Sequence, residues 1–362
     1  MEEQKTKQNR QWVKKVLVGF LFCLSALVGG GLGYFKYQLL GSVKQGEVSF
    51  QEINEQKEQE EEVLPFDKDI VNILLVGADA REEWQDSGRS DSTMIATLDL
   101  KHGKLKLTSL MRDMYIDIPG YGKNRFNAAY NFGGVALLNE TIATNFDVRL
   151  DGYIVVDFKA FRDVINKIGG VEIELTELEA QYLNTAYHGK IKVVTGKQKL
   201  KGKEALAYTR IRQVPSLDGN HYDFGRTERQ RRVLDSIFSQ FKNQNFHALT
   251  DVLMTVLSNI TTDLTPKQME QLAFSVLKVP DKEIKQLCIP IQDSCWDLRV
   301  ALPGTSNNAQ VLGINVEQNK EAIYEFIYEP EPEVTEEVEN TEETADGSTV
   351  SSEQMTQDKK QE

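Results

Sequence analysis

Histidine is scarce in this chain. Only four occur, at positions 102, 188, 221 and 247, and none has a metal-ligand spacing to another. No serine stands in a G-x-S-x-G elbow, and no nucleophile has a convincing base partner near it in sequence. Cysteine is rarer still, with Cys23, Cys288 and Cys295 alone. Cys23 lies in an apolar run, and if that run spans a membrane it cannot meet the other two. Cys288 and Cys295 could close a local disulfide outside a cell or remain two small buried thiols; the spacing fits both. Aromatic residues are absent after Tyr328, where Glu, Pro, Thr and Ser dominate. From Glu329 onward twelve acidic residues face two lysines, so most of the formal charge of −13 resides there. Without that stretch the chain has 40 basic and 43 acidic residues and is nearly neutral. Residues 329–362 are expected to be a disordered acidic tail. No internal repeat is present.

What is present begins with a membrane signal. Lys5, Lys7, Arg10, Lys14 and Lys15 precede Val16 to Phe35, a run of twenty uncharged residues. About twenty residues at ~1.5 Å each span a hydrocarbon core of roughly 30 Å. The basic flank predicts a cytoplasmic N-terminus at residues 1–15, with everything after Lys36 outside. The run is long for a cleaved signal peptide and has no A-x-A site, so residues 16–35 are expected to be a retained single-pass anchor in the cell membrane. An extracytoplasmic domain has no ATP and no chromosome, which sets aside kinase and transcription-factor functions and a nucleic-acid partner.

Residues 36–68, rich in Glu, Gln and Lys from 41 on, read as a solvated and partly helical stalk. Strands are predicted at Ile73–Val76, Thr93–Leu100, Lys104–Leu110, Tyr153–Val156 and Val171–Leu175, with Lys101-His102-Gly103 as a hairpin turn. Phe158, Phe161, Ile165 and Ile168 recur at helical spacing. A short helix at 203–209 leads into an extended Tyr208–Arg212. A long helix starts near Gly225 and carries Val233, Leu234, Ile237, Phe238 and Phe241 on one stripe. Helices at His247–Asn259 and Pro266–Leu277 and a strand at Ile284–Ile291 follow. The pattern predicts one α/β domain over residues 69–328, with a mixed central β-sheet flanked by helices.

Three clusters bear chemistry. Asp79 follows the first buried strand, in Gly77-Ala78-Asp79-Ala80-Arg81, and Asp91 precedes the next, in Gly88-Arg89-Ser90-Asp91. Carboxylates at facing strand ends could share a hard cation, or each could cap a turn amide. Arg112 ends a strand in Ser109-Leu110-Met111-Arg112-Asp113; it could hold phosphate or pair with Asp113 on the surface. Ile118-Pro119-Gly120 and Lys123-Asn124-Arg125 follow. Arg210 and Arg212, if extended, project from one face, where like charges repel unless an anion lies between them. Arg226, Arg229, Arg231 and Arg232 open the long helix, against the macrodipole, which favours anions there. Arg226 and Gln230 lie beside its apolar stripe, an arrangement suited to an inward anion site. Arginine forks grip phosphate oxygens bidentately and stay charged.

In this order, the anchor, G-x-D-x-R, G-R-S-D, S-x-x-R-D, I-P-G, the basic-x-N-A element, Y-T-R-I-R and D-x-x-R-x-x-R-Q resemble the LytR-CpsA-Psr domain over about residues 70–245. The resemblance implies a magnesium-dependent phosphotransferase that moves a glycopolymer of teichoic-acid or capsular type from polyprenyl pyrophosphate to peptidoglycan. It implies Asp79 and Asp91 as ligands for Mg2+, with Mn2+ as an alternative. It implies Arg89, Arg112, Arg210, Arg212 and Arg226 as catalytic pyrophosphate ligands, supported by Arg81, Arg125, Asp223 and Gln230. The polyprenyl chain would occupy the apolar face between sheet and helices. Met111 stands where the family often has Pro, and Arg125 where Lys is common. The loop Gln213–Tyr222 is longer than usual, and the Asp-x-x-Arg spacing selects Asp223 over Asp218. A lipid pyrophosphatase and a non-catalytic wall-polymer scaffold are the alternatives.

Overall fold

The computed structural model describes residues 44–59, 64–78, 90–242, 260–280, 283–303 and 308–330. The anchor (16–35), the helix expected at His247–Asn259 and the tail beyond Pro330 lie outside them, as do Asp79, Arg81 and Arg89. Among the described residues no helix is long and apolar enough to cross a membrane.

In chain order the elements are β1 (Lys44–Gln45), α1 (Phe50–Gln59), β2 (Ile70–Ala78), β3 (Ser90–Asp99), β4 (Lys104–Leu110), β5 (Tyr115–Ile118), β6 (Gly122–Arg125) and α2 (Asn127–Phe146). Then come β7 (Gly152–Asp157), α3 (Phe158–Lys167), β8 (Val171–Leu175), α4 (Glu177–Ala186), β9 (Gly196–Leu200), α5 (Gly202–Tyr208) and α6 (Tyr222–Lys242). The chain continues with β10 (Ile260–Thr262), α7 (Pro266–Lys278), β11 (Ile284–Ile289), β12 (Cys295–Ala301), β13 (Asn308–Ile314) and α8 (Val316–Tyr328). Seven strands form one sheet in the order β1-β10-β7-β2-β3-β4-β11. The pairs β2–β3 and β3–β4 are antiparallel, whereas β2–β7 and β4–β11 are parallel, so the sheet is mixed as expected. Three further two-stranded sheets, β5–β6, β8–β9 and β12–β13, stand apart from it.

The main core joins the sheet, through Leu74, Ile95 and Leu110, to α2 and α8, through Leu138, Ile142, Phe146, Ile323 and Ile327. A second core lies among α3, α4, α5, α6 and the β8–β9 strand pair, around Ile165, Leu183, Leu200, Tyr208 and Val233. Asp157 ends β7 and caps α3 by accepting from the Ala160 N–H at 2.6 Å; that cap turns the strand directly into the helix.

Two expectations are corrected. The stretch read as a solvated stalk contains α1, which docks on the domain. Phe50 is fully buried against Tyr153, with ring centroids 5.0 Å apart, and Asn54 donates to the Leu150 carbonyl at 2.9 Å. A single aromatic and one amide in a Glu/Gln-rich helix bury too little to stand out in composition. Tyr208–Arg212 is not extended, because α5 runs to Tyr208 and its last turn continues. The Arg210 N–H bonds the Ala207 carbonyl and the Ile211 N–H that of Tyr208, both at 3.2 Å.

The first half of β4 holds a partly buried charge network that fastens the end of α8. Lys106 Nζ is 2.6 Å from Asp99 Oδ2 and 3.1 Å from Glu329 Oε1, and donates to the Ile327 carbonyl at 2.8 Å. Asp99 has no exposed surface and otherwise meets His102, through its backbone N–H at 2.9 Å and Nδ1 at 2.8 Å, so removing the Lys106 ammonium leaves a buried carboxylate short of compensating charge. Lys106→Met is expected to cost roughly 3 kcal/mol or more in urea unfolding; an unchanged midpoint would show that this network is not holding α8.

Candidate functional site

A cavity of about 350 Å³ opens where β2 and β7 end and β3 begins, against α3, α5 and α6. Leu75, Met94, Val156, Phe161, Leu206 and Leu234 give it apolar walls, and Asp91, Arg112, Arg210, Arg212, Arg226 and Gln230 its polar lining. Six of the residues singled out in the sequence therefore share one cavity. Arg125 and Asp223 join through the charge network beside it.

That network has two carboxylates at its centre. Asp223 Oδ2 is 2.5 Å from Arg212, and its Oδ1 is 2.9 Å from Arg226 and 3.9 Å from Arg112. Asp113 Oδ2 is 3.4 Å from Arg112 Nε and 3.5 Å from Arg212, while its Oδ1 is 3.6 Å from Arg125 Nε. Arg112 reaches on to Asp91 Oδ1 at 2.9 Å. Arg125 also donates to the Gln310 carbonyl of β13 at 2.9 Å. Arg210 lies 4.9 Å over the Phe158 ring and is otherwise exposed at the cavity. Such cation–π contact orients a guanidinium while leaving its N–H groups for an anion.

Each side chain is placed by its element. Arg112 and Asp113 follow the last residue of β4, and Asp91 is the second residue of β3. Helix α6 begins at Tyr222, earlier than the periodicity predicts, which puts Asp223 in the first turn where the macrodipole favours a carboxylate. Arg226 stands one turn later, 5% exposed, and among the described residues its Nε has no hydrogen-bond partner.

Burial and mutual contact divide the two carboxylates. Asp223 is pushed up, first by burial and then by its hydrogen bond with Asp113, against the pull of Arg226 and Arg212. Burial also opposes the charge on Asp113, but the bond with Asp223 and the guanidiniums of Arg112, Arg125 and Arg212 outweigh it and hold its pKa down. Burial lowers Arg226 to about 10, with Asp223 opposing and Arg112 and Arg212 adding to the shift. It stays charged at neutral pH, almost wholly buried.

The remaining basic residues of α6 have other duties. Arg229, fully buried, binds Glu179 at 2.7 Å and donates to the carbonyls of Ile211 and Val214 at 3.2 and 2.9 Å. It fixes the loop that carries Arg212 and is not an anion ligand. Arg232 donates to the Tyr208 hydroxyl at 3.3 Å. Arg231 lies beside Cys288, a free thiol that burial pushes up to about 11. Cys295 is also free and pushed up by burial, so neither thiol is an activated nucleophile.

Sequence reasoning missed Asp113, which meets Arg112, Arg125 and Arg212; the only signal was its adjacency to Arg112. Asp79, Arg81 and Arg89 are outside the described residues. Among the described residues no group of three His, Cys, Asp or Glu side chains is arranged to hold a metal. Asp113 and Asp223 are committed to arginines, whereas Asp91 lines the cavity and, among the described residues, engages Arg112 through Oδ1 alone. A single carboxylate beside a guanidinium cluster is compatible with Mg2+ bound together with a phosphorylated ligand, because Mg2+ takes the rest of its shell from water and phosphate oxygens.

The lowered pKa of Asp113 means that its stabilisation is present above 3.8, the ordinary carboxylate value, and is lost as pH falls through its folded value. Asp113→Asn is therefore expected to lower the urea midpoint at pH 7. The difference from the unmodified protein should shrink as the pH is taken below the ordinary carboxylate range. A difference that persists in acid would mean that the carboxylate charge is not what gathers the arginines.

Residues 37–324 match the LytR_cpsA_psr family. The "Regulatory protein MsrR" of Staphylococcus aureus (strain COL) is 32% identical over 262 residues, covering 72% of this chain and 75% of that protein. The polyisoprenyl-teichoic acid–peptidoglycan teichoic acid transferase TagU of Bacillus anthracis (strain CDC 684 / NRRL 3495) is 34% identical over 265 residues, covering 71% of this chain and 81% of that protein. A solved structure of TagT bound to LI-WTA aligns with a TM-score of 0.59 at 26% identity, over 73% of this chain and 94% of that one. The strand-end aspartate, the arginine cluster and the apolar cavity thus sit on a shared fold, and the chain belongs to the LytR-CpsA-Psr family.

Proposed function

We propose that this chain is a phosphotransferase that moves a teichoic-acid-type glycopolymer from a polyisoprenyl-pyrophosphate carrier to peptidoglycan. The observation that carries it is the placement of a guanidinium cluster at one end of an apolar cavity. A ligand that satisfies both has a polyanionic head and a hydrocarbon tail. The kinship to TagU, named for that transfer, supports the same class of substrate and acceptor. The basic-flanked apolar run at residues 16–35 supports a single-pass anchor with the domain outside, where a membrane-borne carrier meets it by diffusion in two dimensions.

In this reading Arg112, Arg212 and Arg226 grip the pyrophosphate, and Arg210 closes over it from its perch on Phe158. An acceptor hydroxyl of peptidoglycan attacks the phosphorus that bears the glycan. The P–O bond to the carrier phosphate breaks, polyprenyl phosphate leaves with the bonding electrons, and the hydroxyl proton passes to solvent. The guanidiniums are already fixed by Asp113 and Asp223, so they meet charge growing on the leaving phosphate without reorganising. A divalent cation held by Asp91, with Asp79 as the partner the sequence suggests, would supply further neutralisation of the pyrophosphate oxygens.

The test is the full chain in detergent or proteoliposomes, given lipid-linked donor and peptidoglycan. Phosphodiester-linked polymer is the expected product, and Arg112→Ala or Arg226→Ala should slow its formation roughly 100-fold or more in folded protein. Release of free phosphorylated glycan alone would indicate a pyrophosphatase, and undiminished attachment by the variants would indicate a scaffold. Chelation should abolish transfer and Mg2+ restore it, with Asp91→Asn raising the Mg2+ needed; transfer indifferent to chelator would remove the cation from the scheme.

A further inference from the structure

The I-P-G element takes no part in the arginine cluster. It forms the tip of the β5–β6 hairpin, where the Tyr121 N–H bonds the Ile118 carbonyl at 2.9 Å and Gly120 turns the chain at φ 76°. Tyr121 stands out from this tip 51% exposed. Beside it Phe132, 39% exposed, projects from α2 just before the helix breaks at Gly133 and Gly134. The two rings stack with centroids 4.7 Å apart and planes 19° from parallel. Asn145 of α2 donates to the Asp117 carbonyl of β5 at 2.8 Å, so the hairpin and helix hold the pair from both sides. Two aromatic side chains fixed in register and left in water form a platform that a partner can cover with gain.

Its position says what kind of partner. The same hairpin ends in Arg125, which reaches Asp113 at the heart of the charge network. Four residue steps, ~13 Å at ~3.3 Å each, lead from Tyr121 along β6 to Arg125. No residue of β5, β6 or α2 lines the apolar cavity. The cavity meets the network through Arg112, Arg212 and Arg226, and the platform meets it through Arg125 and Asp113. A two-substrate transfer needs a place for the acceptor next to the pyrophosphate and away from the lipid tail, and this hairpin runs from the one to open solvent.

We infer that the Tyr121–Phe132 platform is a saccharide subsite that holds the glycan strand of the acceptor peptidoglycan; this rests on the transferase reading. The C–H faces of pyranose rings pack on aromatic faces, and the exposed Lys123 beside Tyr121 matches the carboxylates that peptidoglycan carries. A lipid surface is the competing partner for exposed aromatics.

The probe is a soluble tetrasaccharide of the peptidoglycan glycan chain, titrated into the full-chain protein without donor, alongside transfer kinetics with donor present. Tyr121→Ala and Phe132→Ala should each weaken tetrasaccharide binding and raise the acceptor KM about fivefold. The donor KM should be unchanged, and Tyr121→Trp should preserve both. Absence of tetrasaccharide binding by the unmodified protein, an unchanged acceptor KM in folded variants, or loss of binding to phosphatidylglycerol vesicles in place of the tetrasaccharide would overturn the subsite. Tetrasaccharide binding that depends on both rings in a protein that shows no transfer would keep the subsite and overturn the transferase reading instead.

Discussion

The site depends on two carboxylates that make a crowd of guanidiniums tolerable. Arg112, Arg125, Arg212 and Arg226 converge on Asp113 and Asp223 from β4, β6, the loop after α5 and the first turns of α6. Two like charges ~4 Å apart repel by about 4 kcal/mol where the effective dielectric is near 20. Without the aspartates these side chains would turn to solvent and the cavity would lose its cationic end. The aspartates cannot both be strongly charged either, because they touch each other, and the structure resolves this by holding Asp113 down and pushing Asp223 up. The result is a fixed, still cationic surface with N–H groups left over among the described residues, notably Arg226 Nε.

The fold serves this network from a distance. Arg229 ties the 211–214 loop to Glu179, and Glu179 also closes a capping box on α4 with Thr176. A fully buried pair is poor evidence of stability, since desolvation offsets much of the attraction. Its contribution is geometric, because it sets where Arg210 and Arg212 emerge. The mixed sheet does the same for Asp91 and Arg112. Antiparallel pairing of β3 with β4 puts the start of one beside the end of the other, with Thr93 opposite Leu110.

Much of this was legible in the sequence. Buried strands ending in charged residues placed Asp91 and Arg112, and the apolar stripe of α6 placed Arg226 and Gln230. The conformation of Arg210 and Arg212 was not legible, because α5 runs on into a turn that an i, i+2 pattern cannot distinguish from a strand. Helix α2 was hidden by Gly133 and Gly134, whose non-helical angles break its period. Asp113 was hidden for a different reason. Beside Arg112 it reads as a local ion pair, whereas its partner Arg212 lies 99 residues away. Long-range charge pairing has no periodicity by which a sequence could announce it.

The central claim is that one cavity accommodates both a pyrophosphate and the hydrocarbon chain attached to it. The direct measurement is the affinity of the full-chain protein for polyprenyl pyrophosphate and for the free polyprenol of the same length, each at low and high salt. The account predicts that the pyrophosphate binds far more tightly, that salt weakens its binding while barely affecting the alcohol, and that Arg226→Met brings the two together. Equal affinities for pyrophosphate and alcohol in the unmodified protein would contradict it.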